Sequence, residues 1–305
     1  MSTIVRIGTR SSPMALAQVD RVSALLRAAD PELTVEVVAM TTSGDRWTGP
    51  LSDLGGKGAF TKEVDAALLG GACDLAVHCV KDIPGDRPVP EGTDIVAFLE
   101  RDDVRDAVVQ PDGITLDDLP EGARIGTSSP RRAAQLALHW PHLLPVPVRG
   151  NANSRLAKLD AGEYDALLLA VAGLERIDLT ERISQILPVD AMVPAVGSGT
   201  LALQCRTDDD VTNAYARALR HEPTWLRTTA ERTMLSVLDG NCHSPIAGYA
   251  TLDDGTLSLH GRVIAPDGKT VLDASGRGTD PEALGTDVAA ELLRQGAADI
   301  ISATA

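Results

Sequence analysis

A chain of 305 residues with 44% hydrophobic and 23% charged side chains suits two or three compact units, each burying its own core, and is too apolar to be disordered. With 43 acidic against 28 basic residues the net charge is −15, which argues against a nucleic-acid binder, and no apolar run approaches the roughly 18 residues of a membrane helix. The four cysteines form no CxxC pair and the start MSTIVRIGTRSSP lacks the features of a secretory signal, so free thiols and a cytoplasmic address are expected.

The first element, RIGTRSSPMALAQ (6–18), reads as a short strand, a serine-rich turn and a helix opened by proline. Ser11 and Ser12 then sit at a helix N-terminus, where free N–H groups and a partial positive charge make either a plain cap or an anion site. Arg10 beside that turn favours a shared anionic ligand. Next, WTGPLSDLGGKGAFTKE (47–63) is glycine-rich without the Walker spacing, and is expected to be a lid carrying Lys57.

The strand DLAV (74–77) runs into VHCVKDIP, which poses a choice: Cys79 as a nucleophile armed by its neighbours, or Lys81 and Asp82 as the working groups at a strand's carboxyl end. Asp82 among cations is expected to stay ionised and to serve a developing positive charge or an N–H; a structural salt bridge is the alternative. Near LERDD (99–103) the chain is expected to cross to a second unit.

That second unit echoes the first. RIGTSSPRRAAQL (124–136) repeats the strand, turn and proline-led helix, with Thr127, Ser128 and Ser129 in the turn and Arg131 and Arg132 in the first helical turn. Cations there oppose the helix dipole, so a shared anion is again the simpler explanation. In LPVPVRGNANSRLAKLD (144–160), Arg149 ends a strand and Arg155 lies in the next helix, two guanidinium forks suited to carboxylates or, alternatively, to surface salt bridges. KLDAGEYDALLLAV (158–171) repeats DAALLGGACDLAVH (65–78), and the segment ILPVDAMVPAVGSG (186–199) is expected to return the chain to the first unit.

Beyond about residue 222 the pattern changes. PTWLRTTAERTMLSVL spaces Leu226, Ala230, Met234 and Leu238 by four, as an amphipathic helix does. IAGYATL, TLSLHGRVIA and KTVLDAS follow as three strands joined at Asp-Gly turns, and one helix, PEALGTDVAAELLRQGAADI, closes the chain. The turn LDGNCHSPIAGY puts Cys242 in a polar loop, where a thiol is more open to reaction than in the apolar stretches around Cys73, Cys79 and Cys205. The expected fold is therefore α/β, two doubly wound domains plus a third α+β domain with a three-stranded antiparallel sheet: 1–98 with 195–219, then 99–194, then 220–305.

In this order RIGTRSSPMALAQ, LGGKGAFTKE, DLAVHCVKDIP, RIGTSSPRRAAQL, VRGNANSRLAKLDAGEYDALLLAVAGLERI, PAVGSG, TAER and NCHSPIAGY resemble the porphobilinogen deaminase family along nearly the whole chain. The resemblance implies periplasmic-binding-protein-like first and second domains with the active site between them. It implies a transferase of haem biosynthesis that joins four porphobilinogen molecules into hydroxymethylbilane, losing ammonia at each addition, on a dipyrromethane primer. By the family pattern Cys242, not Cys79, anchors that primer through a thioether. Lys81, Thr127, Ser128, Ser129, Arg131, Arg132, Arg149 and Asn151 hold it. Arg10, Ser12, Gln18, Arg149, Arg155 and Arg176 serve the incoming substrate, Asp82 contacts pyrrole N–H groups and stabilises the azafulvene cation left when ammonia departs, and Lys57 and Phe60 belong to the lid. A monomer without metal, nucleic acid or membrane is implied, and the six histidines form no ligand cluster. Against the family pattern, Cys79 stands for serine, Pro130 for leucine and Asn241 for a glycine whose left-handed backbone Asn can adopt, while Ser198 and Thr200 alter the glycine-rich crossing. A divergent low-activity member, or a carboxylate-binding protein without chemistry, is the rival expectation.

Overall fold

The computed structural model describes residues 3–47, 49, 58–241 and 243–304. In chain order the elements are β1 (Ile4–Arg10), α1 (Pro13–Ala29), β2 (Thr34–Met40), α2 (Ser43–Arg46), α3 (Lys62–Leu69), β3 (Leu75–Cys79) and β4 (Thr93–Phe98). There follow β5 (Asp106–Val109), β6 (Arg124–Gly126), α4 (Pro130–His139), β7 (Leu144–Val146), α5 (Ala152–Asp160), β8 (Ala166–Ala170), α6 (Val171–Glu175) and β9 (Gln185–Ile186). The chain ends with β10 (Leu201–Arg206), α7 (Asp210–Ala218), α8 (Glu222–Val237), β11 (Ile246–Asp253), β12 (Thr256–Ile264), β13 (Val271–Gly278), α9 (Pro281–Arg294) and α10 (Ala297–Ser302).

Two five-stranded sheets share one plan. The first runs β2-β1-β3-β10-β4 and the second β7-β6-β8-β5-β9, so the sequence echoes fall on equivalent places, β1 with β6 and β3 with β8. In each sheet the first three strands are parallel, and the fourth, β10 or β5, is antiparallel to both neighbours. Helices cover both faces of the second sheet. Along β8, Ala166 and Leu168 pack with Ile125 and Leu136 on one side, while Leu167 and Leu169 pack with Leu156 and Leu174 on the other. That is why ALLLA reads as a continuous apolar run rather than an alternating one.

Both antiparallel strands arrive by a crossing. The first crossing leaves β4 for β5, the second leaves β9 for β10, and the two bond to each other through Asp102 N–H to Gly199 O at 3.0 Å and Leu99 N–H to Leu201 O at 3.1 Å. Gly199 has φ +75°, and a Cβ there would lie 2.5 Å from Asp102 O, so conformation and space both require glycine. Glu231 of α8, fully buried, ties this junction to the third unit. It accepts from Arg101 at 2.7 and 3.1 Å, from Gly197 N–H at 2.8 Å and from Ala250 N–H at 2.8 Å.

The third sheet, β11-β12-β13, is antiparallel as expected, and α8 and α9 cover it with Met234, Leu235, Val288 and Leu292. The predicted apolar stripe of α8 holds: Ala230, Met234 and Leu238 are buried and Leu226 packs against them. The single closing helix does not. It breaks into α9 and α10 at Gly296, whose left-handed φ of +102° ends a helix where another residue type would be strained. Among the described residues no helix is long and apolar enough to cross a membrane.

Candidate functional site

A cleft of about 500 Å³ opens between the two large sheets and is closed on one side by the third unit. Its walls are the carboxyl ends of parallel strands, where a doubly wound sheet leaves backbone and helix N-termini facing outward. β1 delivers Arg10, Ser11 and Ser12; β3, through a single 3-10 turn over Val80–Asp82, delivers Lys81 and Asp82. β6 delivers Ser128 and Ser129, and the segment after β7 delivers Arg149, Gly150 and Asn151, with Arg155 one turn into α5.

The serine-rich turns act first as caps. Ser12 Oγ accepts from Ala15 N–H at 3.3 Å, Ser129 Oγ from Arg132 N–H at 3.4 Å, and Asn151 Oδ1 from Ser154 N–H at 2.9 Å. Ser11 Oγ meets Thr41 Oγ1 at 3.0 Å and Ser128 Oγ donates to Val148 O, so each hydroxyl has a protein partner. A ligand's charge must therefore be met mainly by the cations.

Those cations fall into two classes. Arg131 and Arg132 are buried and share the carboxylate of Asp106: Arg131 Nη2 reaches Oδ2 at 2.6 Å and Arg132 Nη2 reaches Oδ1 at 2.5 Å, with Val193 O and Leu168 O as further acceptors. The anion expected at this helix start is thus supplied first from within the protein, by the residue that opens β5. Both arginines still carry an Nε donor that meets no acceptor among the described residues. Arg10 is held by Asp45 and stacks over Phe60, 4.4 Å from the ring centroid, and Arg176 is held by Asp102 at 2.6 and 3.0 Å. Asp45, Asp102 and Asp106 were not singled out from the sequence. Asp106 is visible there as a charge opening the otherwise apolar stretch DAVV, and Asp102 lies within the LERDD crossing.

Lys81, Arg149 and Arg155 form the second class, with no carboxylate within ion-pair distance among the described residues. Arg149 donates to Gly49 O at 2.9 and 2.6 Å and Arg155 to Gly150 O at 2.8 Å. Burial pushes Lys81 below its ordinary value, Asp82 opposes this and Arg132 adds to it. Burial, then Arg132 and Arg149, push Arg155 down to about 10, and burial also lowers Arg149. Each of these groups gains stability from an added anion. Asp82 lines the same cleft, next to Lys81 in the 3-10 turn, and among the described residues its ion-pair partner is Arg10, with Nη1 at 3.9 Å.

Three expected site residues lie behind the wall. Thr127 is buried and accepts from Ser129 N–H at 3.2 Å. Gln18 is buried and donates to Cys79 Sγ at 3.1 Å, while Arg176 Nη1 lies 3.7 Å from the same sulfur; Cys79 and Arg176 line a separate cavity of about 20 Å³ that Lys81 also borders. Lys57 and Cys242 lie outside the described residues. The residues flanking Cys242 in the sequence are placed: Asn241 and Ser244 line the cleft, joined by Asn241 N–H to Ser244 Oγ at 3.1 Å. Asn241 is not left-handed; the residue that takes that conformation before this turn is Asp239, φ 52°.

Two family descriptions match this chain: porphobilinogen deaminase, dipyromethane cofactor binding domain, over residues 5–214, and porphobilinogen deaminase, C-terminal domain, over 225–294. The porphobilinogen deaminase 2 of Streptomyces coelicolor is 60% identical over 306 residues, covering 99% of this chain and 97% of its own length. The porphobilinogen deaminase of Acidithiobacillus ferrooxidans is 47% identical, covering 97% of each. A solved structure, the methionine binding protein MetQ, aligns with 13% identity and a TM-score of 0.44 over 73% of this chain and 92% of that one.

Proposed function

The chain belongs to the porphobilinogen deaminase family, and from that premise we infer how its residues divide the work. Its reaction is the family's: a transferase joins four porphobilinogen molecules head to tail into hydroxymethylbilane, releasing ammonia at each addition, in tetrapyrrole biosynthesis. The observation that carries the residue-level reading is a group of three cations, Lys81, Arg149 and Arg155, that have no carboxylate within ion-pair distance among the described residues and share one cleft with the carboxylate of Asp82.

A dipyrromethane fits that group. Each of its pyrroles bears an acetate and a propionate, and the site offers three cations with no ion-paired carboxylate, plus Nε donors of Arg131 and Arg132 that meet no acceptor, among the described residues. When bound, the group supplies the pyrrole end on which substrate is added. Cys242 anchors it through a thioether, and Lys81, Arg131, Arg132, Arg149 and Asn151 hold its carboxylates, with Thr127, Ser128 and Ser129 shaping the turn beneath. Arg10, Ser12 and Arg155 face the incoming porphobilinogen, Gln18 and Arg176 brace the floor below, and Phe60 and Lys57 belong to the lid. Asp82 accepts pyrrole N–H groups and stabilises the positive charge that develops on the substrate as ammonia leaves, charge that the cations would otherwise repel.

The lobes of this machine are 1–98 with 195–219, 99–194, and 220–305, in a monomer with a cytoplasmic address. Intact mass tests the anchor. The purified protein should carry a covalent dipyrromethane that reacts with Ehrlich's reagent, and Cys242→Ser should lack both mass and colour; a bare wild-type protein that still turns over porphobilinogen overturns the assignment. Arg155→Gln removes one charge-assisted contact and should raise KM about tenfold to a hundredfold with kcat less affected, as the roughly 1.5–3 kcal/mol of such a bond implies. Steady-state kinetics at pH 7 to 8 checks this, because Arg155 loses its charge only as pH rises through about 10.

A further inference from the structure

Arg10 already holds a carboxylate. Asp45 of α2 grips it with both oxygens, Nη2 to Oδ1 and Nε to Oδ2, the latter at 3.2 Å, while the Phe60 ring covers the guanidinium plane. The same Asp45 Oδ2 accepts from Thr42 N–H at 3.2 Å and Thr42 Oγ1 at 2.7 Å, closing a capping box. Both charged groups line the main cleft. Burial disfavours ionising Asp45, but the Arg10 guanidinium and the Thr42 donors outweigh it and hold the carboxyl below the usual range. The α2 turn is anchored elsewhere too: Gly44 N–H donates to Ala59 O and Ser43 N–H to Glu63, each at 2.8 Å, and a Cβ on Gly44 would strike the Phe60 ring at 2.5 Å. Asp45 is therefore set against Arg10 by packing on several sides.

An aspartate side chain is a carboxylate on one methylene, the same group as the acetate arm of porphobilinogen. We propose that Asp45 is a specificity-determining residue, a resident competitor that occupies the Arg10 fork and yields it only to a ligand bringing further carboxylates for the neighbouring cations. Exchange of one carboxylate for another at Arg10 is close to neutral, so a lone acid or an inorganic anion gains little there. Porphobilinogen carries a second carboxylate, which Arg149 or Arg155 can receive, and that contact drives the exchange. The inference rests on the reading of Arg10 as a substrate ligand.

The test uses the primer-loaded enzyme at fixed pH and ionic strength, with porphobilinogen as substrate and inorganic phosphate as the competing probe. Asp45→Asn and Asp45→Ser each keep a capping oxygen and remove the charge. Both should lower KM for porphobilinogen, by about tenfold if the Arg10 fork is free about a tenth of the time in the wild type. Both should also make phosphate inhibit at several-fold lower concentration. Thr42→Val, which loses the hydroxyl but leaves Asp45 charged, should move neither constant. A KM that rises or stays put in both Asp45 variants overturns the proposal, as does an unchanged phosphate inhibition or a Thr42→Val variant that mimics them. Arg10→Gln tests the underlying reading separately: it should raise KM, and an unmoved KM there removes the premise and the proposal with it.

Discussion

Asp82→Asn should keep the covalent primer, as read by intact mass, while kcat for porphobilinogen falls by about 10² to 10⁴, the range expected when a group that meets developing charge or moves a proton is lost. Asparagine preserves shape and one acceptor oxygen, so substrate binding and KM should change little. The fold has small reason to suffer: the Asp82 side chain is 31% exposed and its ion-pair partner among the described residues, Arg10, is 3.9 Å away. Equal thermal midpoints for variant and parent would confirm that the loss is chemical. The physical case is the imbalance of the cleft. Lys81, Arg149 and Arg155 stand without carboxylate partners among the described residues, and Asp45, the other acid of the lining singled out above, is engaged by Arg10 and Thr42. Positive charge developing on substrate in such a place needs a counter-charge, and among the described residues of the lining Asp82 is the carboxylate available to give it. Near-normal turnover by Asp82→Asn would refute the role.

Asp106→Leu should cost about 3–5 kcal/mol of stability, because it leaves two buried guanidinium groups without the anion they share. Urea unfolding read by circular dichroism checks the size. Burial alone would raise the carboxyl of Asp106, yet Arg131 and Arg132 hold it far below the usual carboxylate range. The sign of the pH effect follows. A depressed native value means that the stabilisation is complete above the ordinary carboxylate range, where folded and unfolded chains are both ionised, and is lost as pH falls toward the native value. The variant should therefore lack part of the parent's acid sensitivity. Replacing the whole triad, Asp106→Leu with Arg131→Met and Arg132→Leu, should recover much of the stability, since no buried charge then remains unpaired, and should impair retention of the primer.

Much was legible from short-range physics. The paired motifs at 6–18 and 124–136 fixed two copies of one strand, turn and helix, because a serine cap followed by proline defines a helix start within four residues. The four-residue spacing in α8 and the Asp-Gly turns gave the third unit, again through neighbours in sequence. The break at Gly296 was missed because an apolar periodicity continues across it and only the left-handed backbone separates α9 from α10.

Motif order by itself determined the fold class and the strand ends that face the cleft, and it pointed to Arg10, Lys81, Arg131, Arg132, Arg149 and Arg155, which line it, as well as to Arg176, which lies behind it. What only the tertiary structure decided is which of those cations are already spent. Arg10 meets Asp45 across 35 positions, Arg131 meets Asp106 across 25 and Arg176 meets Asp102 across 74, whereas Lys81, Arg149 and Arg155 have no ion-paired carboxylate among the described residues. Ion pairing depends on distances in space that local propensity does not encode, and a guanidinium looks the same in sequence whether an aspartate has reached it or not.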